Sequence, residues 1–197
     1  MEYSKASELP FDPRQQMGRI FATGFYQWLK HFSKDVTNLA EAFAHIFELE
    51  HFYVAVQNGE IAAIVACTAG KPSPIRLDRK TLCRTLGFFR GNMACAVLTK
   101  SLINHVYPFE LSGTTGTIEF VATAPEHRGK GVAGELITHV MDVMPFADYV
   151  LEVVDTNVAA VRLYEKLGFR EFKRTPSPWG SGFNHFVYMI REKDGAR

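Results

Sequence analysis

The sequence predicts a mixed α/β fold of the α+β kind, with one central sheet and helices on both faces. Three observations carry this. Two apolar runs meet at Asn58-Gly59, a strand–helix–strand pattern occupies 118–154, and a further pair of β-type runs closes the chain. Asn-Gly accepts the positive φ that both turn positions of a type I′ hairpin need. A strand–helix–strand unit implies two parallel strands joined by a right-handed crossover. The 197 residues suit a single domain over 1–197, large enough to bury about 70% of its unfolded surface without staples.

Taken in order, residues 1–18 are polar, contain Pro10 and Pro13, and read as an irregular lead-in to a helical N-terminal part that runs to about residue 50. Phe21, Phe25, Trp28, Leu29 and Phe32 recur at helical spacing. A second helix is expected from about Leu39, with Phe43, Ile46 and Phe47 on one face and Asn38 and Glu41 as a capping box. The hairpin spans 52–68, and KPSPIRLD breaks the pattern after it. Residues 79–107 look helical, with Gly91-Asn92 separating two helices, and SGTTGT (112–117) is a small-residue loop.

IEFVAT (118–123) is a strand. Over 131–143, Val132, Leu136 and Val140 run beside Ala133, Ile137 and Met141, which is the double i,i+4 ladder of an amphipathic helix. YVLEVV (149–154) suits a buried strand. Ala160, Val161, Tyr164 and Leu167 mark a short helix, with Asn157 placed to cap it and Gly168 to end it. FREFKR and FNHFVYMIRE form the last strand pair around TPSPWGSG.

Charge narrows the function. A formal net charge of +1 leaves no electrostatic footprint for nucleic acid, although a local basic pocket for one anion remains open. Cys67, Cys83 and Cys95 have no metal-type spacing, and no two of the seven histidines sit at zinc spacing beside a cysteine, so no metal is expected. No apolar run reaches the ~20 residues of a membrane span, and the N-terminus lacks the apolar core of a signal peptide. These features predict a cytoplasmic protein without membrane or nucleic-acid partners.

The motif that points to chemistry is HRGKGVAGEL, 127–136. A glycine-rich loop that opens a helix offers unpaired N–H groups and the positive end of the helix dipole to an anion. Gly129-Lys-Gly131-Val-Ala-Gly134 matches the G-x-G-x-x-G of dinucleotide turns, and Glu152 and Asp155 lie where a ribose-binding acid would sit. The spacing before the loop fails, however. Pro125, Glu126, His127 and Arg128 stand between the strand and the first glycine, and too little chain follows for a doubly wound sheet.

The combination of VATAPEHRGKGVAGEL and NVAAVRLYEKLGFREF closely resembles the GNAT superfamily of acyl-CoA-dependent N-acetyltransferases. Arg128-Gly-Lys-Gly131-Val-Ala133 fits its Q/R-x-x-G-x-G/A loop, and Asn157, Ala160, Leu163-Tyr164 and Gly168-Phe169 fit its second signature. The resemblance is strong over 118–172, which it makes the acetyl-CoA-binding core. It implies a GNAT-like mixed sheet whose parallel strands splay apart, and acetyl-CoA as co-substrate. The backbone of Val121, Ala122 and Thr123 would pair with the pantetheine arm. The loop Arg128, Gly129, Lys130, Gly131, Val132, Ala133 and Gly134 would hold the pyrophosphate. Asn157 would sit beside the cofactor arm, and Tyr164 would protonate the departing thiolate.

Attack on a thioester needs a neutral amine, so some group must accept its proton. Glu119 is the candidate base, on the same side of its strand as Val121 if alternation is regular, with Glu152 and Asp155 as alternatives. Each also has a plain structural role to play: Glu119 as an edge-facing carboxylate, Tyr164 as core packing, Asn157 as a helix cap. The segment 71–117 is long for the connection before the family's fourth strand and reads as a helical insertion. It would shape the acceptor pocket or serve as a packing or homodimer element with Phe88, Phe89 and Met93. WGSGFNHF (179–186) is a second candidate wall of that pocket. The function expected is acetyl transfer to a primary amine of a small molecule or peptide through a ternary complex. The alternative is a module that binds or senses acyl-CoA without turnover.

Overall fold

A computed structural model of the chain describes residues 1–178 and 181–192. Within them lies a seven-stranded sheet in the order β1-β2-β3-β4-β5-β7-β6. The strands are β1 (Glu2–Lys5), β2 (Phe52–Gln57), β3 (Glu60–Thr68), β4 (Thr115–Thr123), β5 (Asp148–Val154), β6 (Arg170–Pro176) and β7 (His185–Glu192). The β4–β5 pair is parallel and the other neighbours are antiparallel. The helices are α1 (Arg14–Gly24), α2 (Tyr26–Leu29), α3 (Val36–Phe43), α4 (Arg79–Leu86), α5 (Phe88–Leu98), α6 (Val132–Val143) and α7 (Val158–Lys166).

The sheet separates two cores. On one face α1 and α3 to α5 bury Met17, Phe21, Phe43, Phe47 and Leu82 against Phe52 and Ile64. On the other, α6 and α7 bury Val132, Leu136, Val140 and Tyr164 against Ile118, Tyr149 and Leu151. Removing such side chains from water stabilises the fold by about 1.5–3 kcal/mol each. Alternation along β5 explains the division: Tyr149, Leu151 and Val153 point to the α6 side, which leaves Val150, Glu152 and Val154 for the other.

The hairpin forms as expected, with Gln57 opposite Glu60 and positive φ at Asn58 (53°) and Gly59 (80°). Four expectations are corrected. The polar lead-in includes a strand, because Glu2–Lys5 adds to the edge of β2 through backbone pairing that needs no apolar run. The second helix begins at Val36, where the Asp35 carboxylate accepts from the Thr37 N–H at 2.8 Å; Asn38 instead donates to the Thr85 carbonyl of α4 at 3.0 Å. An aspartate also answers the helix dipole, which an asparagine does not. β4 begins at Thr115, so the connection from β3 to β4 ends earlier than expected.

The fourth correction concerns Gly91. The break between α4 and α5 falls at Gly87, and Gly91 lies inside α5. A Cβ there would stand 2.4 Å from the Cys83 Cα and 2.6 Å from the Leu82 carbonyl oxygen. The glycine lets two backbones touch. Gly91→Ala is expected to destabilise the fold by about 2–3 kcal/mol through overpacking, read as a lower denaturation midpoint in urea with an unchanged slope.

Candidate active site

The parallel strands β4 and β5 pair only from Thr115–Asp148 to Ile118–Leu151. Beyond that point β4 stays with β3 as far as Thr123, while β5 follows β7 as far as Val154. The sheet therefore forks, and one edge of Glu119–Thr123 faces the gap without a strand partner. A bulge sharpens the fork. Ala122 opposes Ile64 and Glu119 opposes Ala66, so two residues of β4 stand against one of β3, and Phe120 adopts φ 52°.

The bulge corrects the expected alternation. Phe120 packs among Phe21, Phe25 and Phe52, with ring centroids 6.1–6.2 Å apart, on the α1 side. Val121 packs on the α6 side. Glu119 keeps the face of Thr117, whose hydroxyl donates to it at 3.4 Å. Glu119 thus lies opposite Val121 and on the same side as Phe120.

The glycine loop sits at the α6 side of the fork. Gly131, at φ 83°, is the residue before α6, and no side chain caps that helix. The first helical bond is Glu135 N–H to Gly131 C=O, so among the described residues no backbone N–H from Gly129 to Gly134 meets a carbonyl. A Cβ at Gly129 (φ 72°) would touch nothing within 4 Å. This is an open row of donors at a helix N-terminus, which fits a pyrophosphate. Gly134 is glycine for another reason, since its Cβ would lie 3.2 Å from Leu163 of α7. Arg128 is exposed and donates Nε to the Thr123 carbonyl at 3.2 Å, tying the loop to the end of β4. Lys130 is exposed, Ala133 half-buried and Val132 buried. Ala122 is buried against Gly24 of α1.

Tyr164 is buried, with its ring 6.1 Å from that of Phe169. Its hydroxyl has no hydrogen-bond partner among the described residues, and burial pushes its pKa up, so it stays a proton donor. Asn157 caps α7 by accepting from the Ala160 N–H at 3.3 Å. Asp155 is occupied: it accepts from the Asn184 N–H at 3.2 Å and lies 3.2 Å from His185 Nδ1. Of the second expected pocket wall, Trp179 and Gly180 lie outside the described residues, while Ser181, Gly182, Phe183 and Asn184 line a surface hollow with Thr156 and Ser177.

On the opposite face the connection between β3 and β4 supplies further residues, His105 and Tyr107, that carry no motif in the sequence. A π-helical turn, Thr99–Ile103, ends α5. Irregular chain then crosses the sheet with alternate residues turned inward: His105, Tyr107 and Phe109 are half-buried, while Val106, Pro108 and Glu110 are exposed. Tyr107 donates to Glu119 Oε1 at 3.5 Å, and His105 Nε2 lies 3.3 Å from Glu152 Oε2. Phe109 packs on Phe172 (4.9 Å) and Tyr188 (5.3 Å), and Lys173 Nζ donates to the Pro108 carbonyl at 2.7 Å. Phe88 and Phe89 are 67% and 85% exposed and so belong to no core.

Burial raises the Glu119 pKa, opposed by Thr117, His105 and Tyr107. A raised carboxylate contributes stability below its ordinary pKa and loses it as pH rises through the folded value. Ionised Glu119 is thus held at a cost. The Glu152 carboxylate raises the His105 pKa, with burial opposing it. Among the described residues no group of three or more His, Cys, Asp or Glu could hold a metal, and no helix is long and apolar enough to cross a membrane.

A forked sheet thus carries a donor-lined turn on one face and a half-buried carboxylate on the other. Residues 15–169 match the acetyltransferase (GNAT) family, and the chain belongs to it. It is similar to N-alpha-acetyltransferase 30 of Schizosaccharomyces pombe (strain 972 / ATCC 24843), at 37% identity over 83 residues, covering 40% of this chain. The match spans about half of that relative, 55% of its length. Two solved structures share the fold. An N-acetyltransferase from Staphylococcus aureus Mu50 has a TM-score of 0.63 at 17% identity, covering 97% of this chain and 100% of that one. The ribosomal-protein-S18-alanine N-acetyltransferase of Escherichia coli has a TM-score of 0.55 at 17% identity, covering 97% and 92%.

Proposed function

We propose that the chain transfers an acetyl group from acetyl-CoA to a primary amine through a ternary complex, the two substrates meeting across the fork between β4 and β5. The observation that carries this reading is the placement of the pyrophosphate-type loop and Tyr164 on one face of the sheet and Glu119 on the other. Gly129 to Gly134 bind the pyrophosphate through backbone N–H groups, with Arg128 and Lys130 adding charge. The unpartnered edge Val121–Thr123 takes the pantetheine arm as an added strand, and Asn157 lies beside it. An N–H near Val121 serves the oxyanion.

The acceptor arrives as an ammonium. Glu119 takes one proton and frees the nitrogen lone pair. The C–N bond forms and the C–S bond breaks, and Tyr164 gives its proton to the thiolate, whose thiol pKa is about 8.5. The second nitrogen proton, lost after the C–N bond forms, restores the Tyr164 phenol, and Glu119 passes the first to solvent, so one proton is released per turnover. A relative named as an N-alpha-acetyltransferase favours an acceptor amine at a peptide N-terminus.

Calorimetry tests the donor side: coenzyme A binds and NAD does not, and the reverse would return the loop to a dinucleotide role. Tyr164→Phe keeps the ring's packing and removes only the hydroxyl. It should lower kcat by about 10²-fold with the Kd for coenzyme A unchanged. An unchanged kcat would reduce Tyr164 to packing.

A further inference from the structure

The inserted chain does more than cover the sheet. It is pinned at one end by the π-helical turn Thr99–Ile103 and at the other by Phe109 between Phe172 and Tyr188. Between these anchors it lowers His105 and Tyr107 onto the two carboxylates that flank the fork. Glu152 sits on β5 and Glu119 on β4 just where those strands have parted. An ion pair at 3.3 Å with both partners largely covered is not a solvated surface contact, because their side chains are only 30% and 23% exposed.

We propose that His105 is a positioning residue for acetyl transfer: its ion pair with Glu152 sets a positive charge beside Glu119 and holds that carboxylate ready for an incoming ammonium. This rests on the functional reading above and adds a part to it, contributed by the insertion rather than by the family's core.

The groups around Glu119 are few. Thr117 of β4 and Tyr107 of the inserted chain donate to it. From β3, the Cys67 thiol is pushed up to about 12 by burial and by Glu119, and stays neutral. From β7, burial and Glu152 are among the causes that push Tyr188 up to about 12. Glu152 of β5 is the remaining carboxylate, and among the described residues His105, when protonated, supplies the positive charge beside them. Without His105, two carboxylates face one another across the fork with no counter-charge, which disfavours ionisation of Glu119. The sign is therefore fixed. Loss of the histidine charge moves Glu119 protonation to higher pH, and with it the acid limb of the kcat/KM profile.

The test is a pH profile of acetyl transfer for the wild-type chain, His105→Gln and His105→Lys. Gln keeps a polar side chain and removes the charge; Lys restores a charge. For His105→Gln the acid limb should move up by about one pH unit, so that kcat/KM on that limb falls about tenfold, with KM for acetyl-CoA unchanged; His105→Lys should return the limb toward wild type. A second readout does not need turnover: the His105 ring, followed by NMR, should titrate above an ordinary histidine, and Glu152→Gln should bring it down. A limb that stays in place in His105→Gln, while the wild type is active, overturns this inference alone. Absence of transfer to any amine by the wild-type chain overturns the functional reading and this inference with it.

Discussion

Replacing Glu119 by Gln is expected to lower kcat/KM by about 10²–10⁴-fold, the usual worth of a general base. Gln is close in size; its amide oxygen can accept from one of the Thr117 and Tyr107 hydroxyls and its NH2 can donate to the other, so the fold should persist. What goes is the ability to take a proton from the acceptor. At about 1.36 kcal/mol per tenfold, the loss is about 3–5 kcal/mol of transition-state stabilisation. The wild-type profile should rise with pH through the raised Glu119 value, because only the ionised form acts. The variant should lose that limb and recover part of its rate at high pH, where free amine no longer needs a base. A stopped assay of coenzyme A release across pH reads both effects. If Glu119→Gln keeps full activity and the same limb, the base lies elsewhere.

The second large effect is expected at the loop. Gly131 holds φ 83° at the start of α6, a conformation that costs an L-residue about 1–2 kcal/mol, and a β-branched one more. Gly131→Val should lower stability by about that amount and turn the N–H row away from the pyrophosphate. Hydrogen bonds to a charged group are worth about 1.5–3 kcal/mol each, so losing one or two should raise the Kd for coenzyme A by about 10²-fold. Lys130→Ala serves as the comparison: the side chain is exposed and its backbone donor is kept, so binding should weaken by less than tenfold, and less still at high salt. Calorimetry well below both melting temperatures separates the binding loss from unfolding. Equal Kd values for Gly131→Val and wild type would show that the loop is only a connection.

Legibility in the sequence followed how local each signal was. The hairpin could be read because Asn58-Gly59 states its turn chemistry in two residues. The helix over 132–143 could be read because its ladder repeats three times, and the parallel pair because a helix separates two β-branched runs. β1 was hidden, since an edge strand of Glu, Tyr, Ser and Lys is held by main-chain pairing to β2. Gly91 was misread because close helix packing and a helix break use the same residue. The bulge at Phe120 carried no signal, as phenylalanine seldom adopts positive φ. That single irregularity moved Glu119 to the opposite face from Val121 and gave the site its two sides. His105 and Tyr107 did leave a trace. His105, Tyr107 and Phe109 recur every second residue, a period of two that does not fit the helix expected over 79–107.

The measurement that bears most directly on the whole account is acetyl transfer itself, with the wild-type chain given acetyl-CoA and a panel of small amines and peptides with free N-termini, and both products quantified by mass spectrometry. Coenzyme A and N-acetylated acceptor should appear in equal amounts, and only when both substrates are present. Tight binding of coenzyme A with no acceptor acetylated at any pH would contradict it and leave a module that holds acyl-CoA without turnover.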